Sequence, residues 1–286
     1  MTKKETPNIR ARRSFIFCPA LKPDLFPKAV ASGADIVCIE LEDGVAPKDK
    51  TIAREQAIQL FATRPINDEV ELVLRINSPR STIGIKDIDA ILEAAHPPPA
   101  IMIPKIVSPD EVIWLDGLLT EANHNTRLHL IIETNAGLEA AVEIAQASAR
   151  IDSLLFGGID MAAELRCKTT WNPLLYARSR VVHAAANAGI DVIDVPYLDL
   201  DDLDGMKEEA KLAKELGFSG KGAIHPKQIA ILNEAFTPTK SEVRRAQQII
   251  EAFESGGMDL LVIDGKLIEK PVIREMKRIL SISQNL

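Results

Sequence analysis

With 286 residues, 46% of them hydrophobic and 26% charged, the chain is expected to bury a full core as one large domain or two small ones. Its 34 basic against 41 acidic side chains leave a net charge of −7, which argues against a nucleic-acid partner and nothing against a small anionic substrate met by local positive charge. Cys18, Cys38 and Cys167 are too few and scattered for a disulfide framework or a zinc site, and no apolar run approaches the roughly 18 residues of a membrane span, so a cytoplasmic location without membrane contact is expected.

The opening MTKKETPNIRARRS is basic with no apolar run behind it and does not read as a secretory signal. The first apolar, β-branched run is SFIFCPA (14–20), followed by the basic stretch LKPDLFPK. The second, IVCIELED (36–43), places Glu40, Glu42 and Asp43 on a stretch that otherwise looks buried. Strand alternation puts Cys38, Glu40 and Glu42 on one face and Val37, Ile39 and Leu41 on the other. ELVLRIN (71–77) and AIMIPKI (100–106) follow, separated by the helix stop HPPPA at 96–100. Ser108, Pro109 and Glu111 then predict a helix opened by a capping box. After LHLIIET (128–134), GLEAAVEIAQ spaces Leu138, Ala141, Val142 and Ala145 as one helix face. SLLFGGID (153–160), DVIDVPYLDL (191–200) and GKGAIHP (220–226) complete the runs. Between the last two, Leu203, Met206, Ala210 and Ala213 share a helix face that Gly217 ends.

The eight runs start about 22–38 residues apart, the length of one strand and one crossover helix. Continuous hydrophobicity suits parallel strands covered on both sides. The expected fold is therefore α/β, a (β/α)8 TIM barrel over residues 1–236, with a doubly wound sheet as the alternative. Residues 237–286 form an extension. Val243, Ala246, Ile250 and Phe253 lie there at helical spacing, SGG (255–257) ends that helix, and a short strand–turn–helix tail follows.

Barrel active sites form at the C-terminal ends of the strands, and polar residues gather there. The second run ends in Glu42 and Asp43, the third in Arg75 and Asn77, the fourth in Lys105, the fifth in Glu133 and the sixth in Asp160. Asp199 and His225 follow on the seventh and eighth and read best as helix-capping groups. Glu133 and Asp160 top adjacent strands, and two carboxylates with open positions between them suit Mg²⁺. Arg75 is placed to grip a substrate carboxylate in two hydrogen bonds or to pair with Glu42 or Asp43. Lys105 adds positive charge for a developing oxyanion or for the same carboxylates. The glycines of FGG (156–158) let backbone pass close to whatever stands above the sixth strand.

RRSFIFCPALKPDLFPKAVASGADIVCIELEDGVAPKDK resembles the opening of the citrate lyase β-subunit-like group within the HpcH/HpaI aldolase family. The likeness continues in order through RIN, IPK, IET, FGGIDMAAEL, YARSRVV, GKGAIHPKQI and DGKLIEKP. The resemblance implies a Mg²⁺-dependent carbon–carbon lyase that splits or forms a citramalyl-, malyl- or citryl-CoA, with an acyl-CoA and a 2-oxo acid as the other side of the reaction. It implies a homotrimer or hexamer in which the extension packs on a neighbouring subunit. Glu133 and Asp160 match the metal carboxylates, Arg75 with Glu133 the substrate-binding pair, and Glu42 and Asp43 an acidic pair near the metal waters, with Lys105 beside them. Pro19, Ala20, Lys22 and Lys28 match a first loop that meets coenzyme A. Glu269 stands where relatives carry a tail aspartate that reaches a neighbour's site as acid/base, with Asp264 as the other choice. The chain departs from the pattern at Glu40, Ala20, Ala136 and Arg166. The alternatives are a CoA-independent 4-hydroxy-2-oxo acid aldolase, a malyl-CoA thioesterase or malate synthase-like activity, and a non-catalytic partner in a lyase complex.

Overall fold

The computed structural model describes residues 10–63, 70–256, 261–263, 266–268 and 270–284. Eight strands carry the first 236 residues: β1 (Ser14–Pro19), β2 (Ile36–Glu40), β3 (Glu71–Arg75), β4 (Ala100–Ile103), β5 (Arg127–Ile132), β6 (Ile151–Phe156), β7 (Asp191–Asp194) and β8 (Gly220–Ala223). Each pairs in parallel with the next, and β8 returns to pair with β1, so the sheet is a closed barrel and the doubly wound alternative is excluded. The helices between and after them are α1 (Phe26–Val30), α2 (Lys50–Thr63), α3 (Thr82–Leu92), α4 (Pro109–Glu121), α5 (Asn135–Glu139), α6 (Ala141–Ala145), α7 (Gly158–Leu165), α8 (Trp171–Ala188), α9 (Leu203–Leu216) and α10 (Ile229–Phe236).

Strand alternation divides the core in two. Phe15, Ile36, Cys38, Val73, Met102, Ile131, Leu155 and Ile193 fill the barrel. Val37, Ile39, Leu74, Ile101, Leu130 and Leu154 point outward into the apolar faces of the helices. Within that outer layer Arg178 of α8 and Lys221 of β8 are fully buried cations. Both bind Asp194, Lys221 at 2.6 Å and Arg178 at 2.9 Å, and Lys221 also reaches Glu209 and the Val195 carbonyl at 2.7 Å.

Below the apolar layers the N-terminal end of the barrel is closed by ions. Arg12 donates to Glu71 at 2.6 Å, to Asp191 at 2.8 Å and to Asp152 at 3.2 Å. His129 donates or accepts at Ser153 and lies 3.3 Å from Glu71. Glu71, His129 and Asp152 bring possible ligand atoms within 4.8 Å of one another, but the Arg12 guanidinium already supplies the positive charge among them. This end is a structural plug.

Three local details depend on tertiary context. Ser108 and Pro109 do open α4, but the capping box does not form, because the Glu111 carboxylate takes the Val107 N–H and Arg80 instead. GLEAAVEIAQ is two short helices broken at Ala140 (φ −89°, ψ 10°) rather than one. Gly217 ends α9 in the left-handed region as its position suggests.

A second compact unit follows Phe236. There α11 (Lys240–Gly256) packs on α12 (Lys270–Gln284) through Ala246, Ile249, Ile273 and Met276, and β9 (Leu261–Ile263) pairs antiparallel with β10 (Lys266–Ile268). Glu269 and Asp264 lie outside the described residues. Among the described residues no helix is long and apolar enough to cross a membrane.

Candidate active site

At the C-terminal ends of the strands the polar residues form one connected array. Glu40 is the last residue of β2 and Arg75 the last of β3, and the sheet register makes them direct neighbours. Arg75 Nε donates to Glu40 Oε2 at 2.5 Å, its Nη1 lies 3.1 Å from Glu42 Oε2, and its Cζ sits 4.6 Å above the centre of the Phe17 ring. Burial works against the guanidinium's charge, but the Glu40 and Glu42 carboxylates outweigh it and raise its pKa further. Burial likewise pushes the Glu40 carboxyl up, with Arg75 opposing.

Past β2 the chain turns sharply, and buried groups hold the turn. Glu40 Oε1 accepts from the Glu42 and Gly44 N–H groups, at 2.6 and 3.4 Å. Lys50, from the start of α2, donates to the Leu41 and Glu42 carbonyls at 2.7 and 2.6 Å, and Asn77 adds a bond to Leu41 O. Asn77 is fixed in turn by Asp87, which pairs with Arg54.

Lys105 links the two sides of the array. Its Nζ binds Glu42 at 2.5 Å and lies 3.7 Å from the exposed Asp43, while its backbone N–H donates to Glu133 Oε1 at 2.9 Å. That double contact holds Lys105 at φ +57°, in the left-handed region a side chain seldom occupies, at a cost of about 1 kcal/mol or more. Burial would lower the Lys105 pKa, but the Glu42 carboxylate outweighs it and raises it.

Glu133 follows β5 and is buried; Asp160, in the first turn of α7, is half-buried beside it. Burial first, then the neighbouring Asp160 and Glu42 carboxylates, push the Glu133 carboxyl up to about 8. Gly157 makes this placement possible. A Cβ there would stand 2.4 Å from both Glu133 Cβ and Glu133 Oε2, so only glycine lets the end of β6 pass Glu133. That is the physical content of the FGG run.

The first loop, after β1, shares this face of the barrel. Pro19 ends β1 half-buried, Ala20 is buried, and Lys22 and Lys28 are exposed with no ion pair among the described residues. His225 caps a short 3-10 turn, accepting from Lys227 N–H, as expected, whereas Asp199 accepts from Asp201 N–H within the loop and the cap of α9 is Asp202. The array therefore brings together Glu42, Asp43, Arg75, Lys105, Glu133 and Asp160. Sequence reading passed over Phe17 and Lys50 and left Glu40 without a partner. Alternation had placed Glu40 on the interior face, but the partner depends on the β2–β3 register.

Comparison with known proteins gives a consistent result. The family model described as HpcH/HpaI aldolase/citrate lyase matches residues 13–226. The L-malyl-CoA/beta-methylmalyl-CoA lyase of Cereibacter sphaeroides (strain ATCC 17025 / ATH 2.4.3) is 34% identical over 94% of this chain and 93% of its own. The crystal structure of RipC from Yersinia pestis is 41% identical, with a TM-score of 0.72 over 81% of this chain and 98% of its own. CitE from Mycobacterium tuberculosis, in a complex with magnesium, acetoacetate and coenzyme A, is 28% identical, with a TM-score of 0.79 over 96% of this chain and all of its own. A strand-end array of carboxylates and cations on a closed barrel, matched along nearly its whole length by such enzymes, places the chain in the HpcH/HpaI aldolase/citrate lyase family as a carbon–carbon lyase.

Proposed function

We propose that this lyase reversibly cleaves a 3-hydroxy-3-carboxyacyl-CoA, of the malyl, citramalyl or citryl type, into an acyl-CoA and a 2-oxo acid. The observation that carries the reading is the Glu133–Asp160 pair. Two adjacent carboxylates, one buried and pushed up to about 8, are a site in want of a cation, and an all-oxygen donor set fits Mg²⁺. The magnesium named for the CitE complex supports the same choice. Bound by Glu133 and Asp160, Mg²⁺ supplies Lewis acidity towards the hydroxyl and carboxylate oxygens of the substrate.

The chain's own residues do the rest. In the cleavage direction the hydroxyl gives its proton to water, the bond between the carbinol carbon and the thioester's α-carbon breaks, and the electron pair passes into the thioester as an enolate. Arg75, fixed beside Glu40 and Glu42, neutralises that enolate or holds the substrate carboxylate. Lys105 and Glu42 hold each other in place, with Asp43 at the rim. A tail carboxylate, Glu269 or Asp264 of a neighbouring subunit in a trimer or hexamer, delivers the proton to the α-carbon. Lys22 and Lys28, exposed cations on the first loop beside Pro19 and Ala20, meet the phosphates of coenzyme A.

The test is a panel of malyl-, citramalyl- and citryl-CoA with and without Mg²⁺, reading the 2-oxo acid released. Metal-dependent release matched one-to-one by acyl-CoA is expected. Free coenzyme A without a 2-oxo acid identifies a thioesterase, and cleavage of 4-hydroxy-2-oxo acids without any CoA identifies an aldolase; either result sinks the reading. Glu133→Gln with full Mg²⁺-dependent cleavage refutes the metal assignment, and Glu269→Gln or Asp264→Asn identifies the proton donor by lost turnover.

A further inference from the structure

We infer that Glu40 is the positioning residue for the Arg75 guanidinium and, with the same carboxylate, for the turn that carries Glu42 and Asp43. The inference rests on the reading of Arg75 as the cation that faces the substrate, and it adds a residue to which that reading gives no role.

Arg75 is held on three sides. Glu40 Oε2 takes its Nε at 2.5 Å, Phe17 lies under its Cζ at 4.6 Å, and Glu42 faces its Nη1 at 3.1 Å without forming a hydrogen bond. Among the described residues neither Nη1 nor Nη2 has a hydrogen-bond acceptor, so the outer edge of the fork is left for an incoming oxygen. The bond to Glu40 is the short, charge-assisted one, and it fixes the guanidinium at the atom nearest its stem. Without it the side chain can swing toward Glu42 and close the free edge with a bidentate ion pair.

The group has to be a carboxylate, and of this length. Both oxygens of Glu40 accept: Oε2 from Arg75, and Oε1 from the Glu42 and Gly44 N–H groups. An amide would turn one of these acceptors into a donor facing another donor, buried at 4% exposure where water does not replace the lost bond. An aspartate would draw the carboxylate back by one methylene from both sets of donors. The strand register places Glu40 opposite Arg75, and Gly44 closes over it, since a Cβ at position 44 would lie 2.9 Å from Glu40 Cγ. One carboxylate thus sets the direction of the cation and the start of the acidic turn together.

The experiment is a double-mutant cycle in the full-length enzyme with Glu40→Gln and Arg75→Lys, assayed for thioester cleavage with kcat and KM separated. Glu40→Gln is expected to lower kcat by about ten- to a hundredfold, with a much smaller change in KM. Added to Arg75→Lys, the same change should cost several-fold less than it does alone, the remainder being the part that passes through the acidic turn. An unchanged kcat for Glu40→Gln, or an equal loss in both backgrounds, overturns the inference. A second measurement needs no Glu40 variant: the Arg75 Nε–H proton resonance of the resting protein, assigned by its disappearance in Arg75→Lys. It should be shifted downfield and exchange slowly, and an Nε–H in free exchange with water overturns the inference even if Glu40→Gln fails to fold. Should the wild type cleave none of the thioesters, the functional reading falls, while this resonance still decides whether Glu40 holds Arg75.

Discussion

Glu133 shows most directly how burial becomes a measurable property. Its carboxyl is raised to about 8 from a usual 4.5, so folding favours its protonated form. Stability from this group is fully present below about pH 4.5 and is lost as pH rises through about 8. Thermal melts of the metal-free protein should therefore fall across that window, and Glu133→Gln should flatten the fall. Added Mg²⁺ should raise the melting temperature most above pH 8, where the carboxylate is already ionised. Gly157→Ala, whose Cβ would meet Glu133 at 2.4 Å, should displace that carboxylate and weaken Mg²⁺ binding on the order of tenfold or more in a calorimetric titration. Glu133, Asp160 and Arg75 were legible in the sequence because they end apolar runs, where a barrel opens. The role of Glu40 was not, because Glu40 and Arg75 lie 35 residues apart and meet only through the strand register.

At the scale of elements, charged groups pin helices to strands. Lys221 on β8 is fully buried and answers Asp194 on β7, Glu209 on α9 and the Val195 carbonyl. Lys221→Met keeps the volume but leaves Asp194 with Arg178 alone in a dry layer. The expected cost is about 3–5 kcal/mol, seen as a melting temperature lower by on the order of 10 °C. In the sequence Lys221 is one polar letter in a short glycine-rich run, and nothing local marks it as buried. The helix starts and stops were better signalled. Pro109 and Gly217 act through their own backbone and kept their predicted places. The Ser108 box does not form: the Glu111 carboxylate accepts from the Val107 N–H and faces Arg80, from a distant loop, instead.

At the scale of the whole molecule, the barrel has two polar ends with opposite tasks. One is the open array of carboxylates and cations; the other is the plug in which Arg12 binds Glu71, Asp152 and Asp191. Burial would raise the Glu71 carboxyl, but His129 and Arg12 outweigh it and hold it well below the usual carboxylate range. Its contribution is present above the usual value of 4.5 and is lost as pH falls towards the depressed one. Arg12→Gln should therefore move acid unfolding to higher pH and lower stability at neutral pH by on the order of 3 kcal/mol, as circular dichroism during acid titration would show. Lyase activity of the folded fraction should be retained, since the plug lies at the far end of the barrel from Arg75.

The sequence by itself determined the class of fold, the family and the set of residues at the strand ends. Those follow from periodicity, spacing and strings of neighbouring letters, which are local properties of a chain. Only the tertiary structure decided that the sheet closes, that Arg75 belongs to Glu40 before Glu42, that Lys105 adopts a left-handed turn to reach Glu42 and Glu133 together, and that Gly157 must lack a side chain. Each of these is a contact between residues far apart in sequence. Its energy depends on strand register and on the exclusion of water, and neither exists until the barrel has formed.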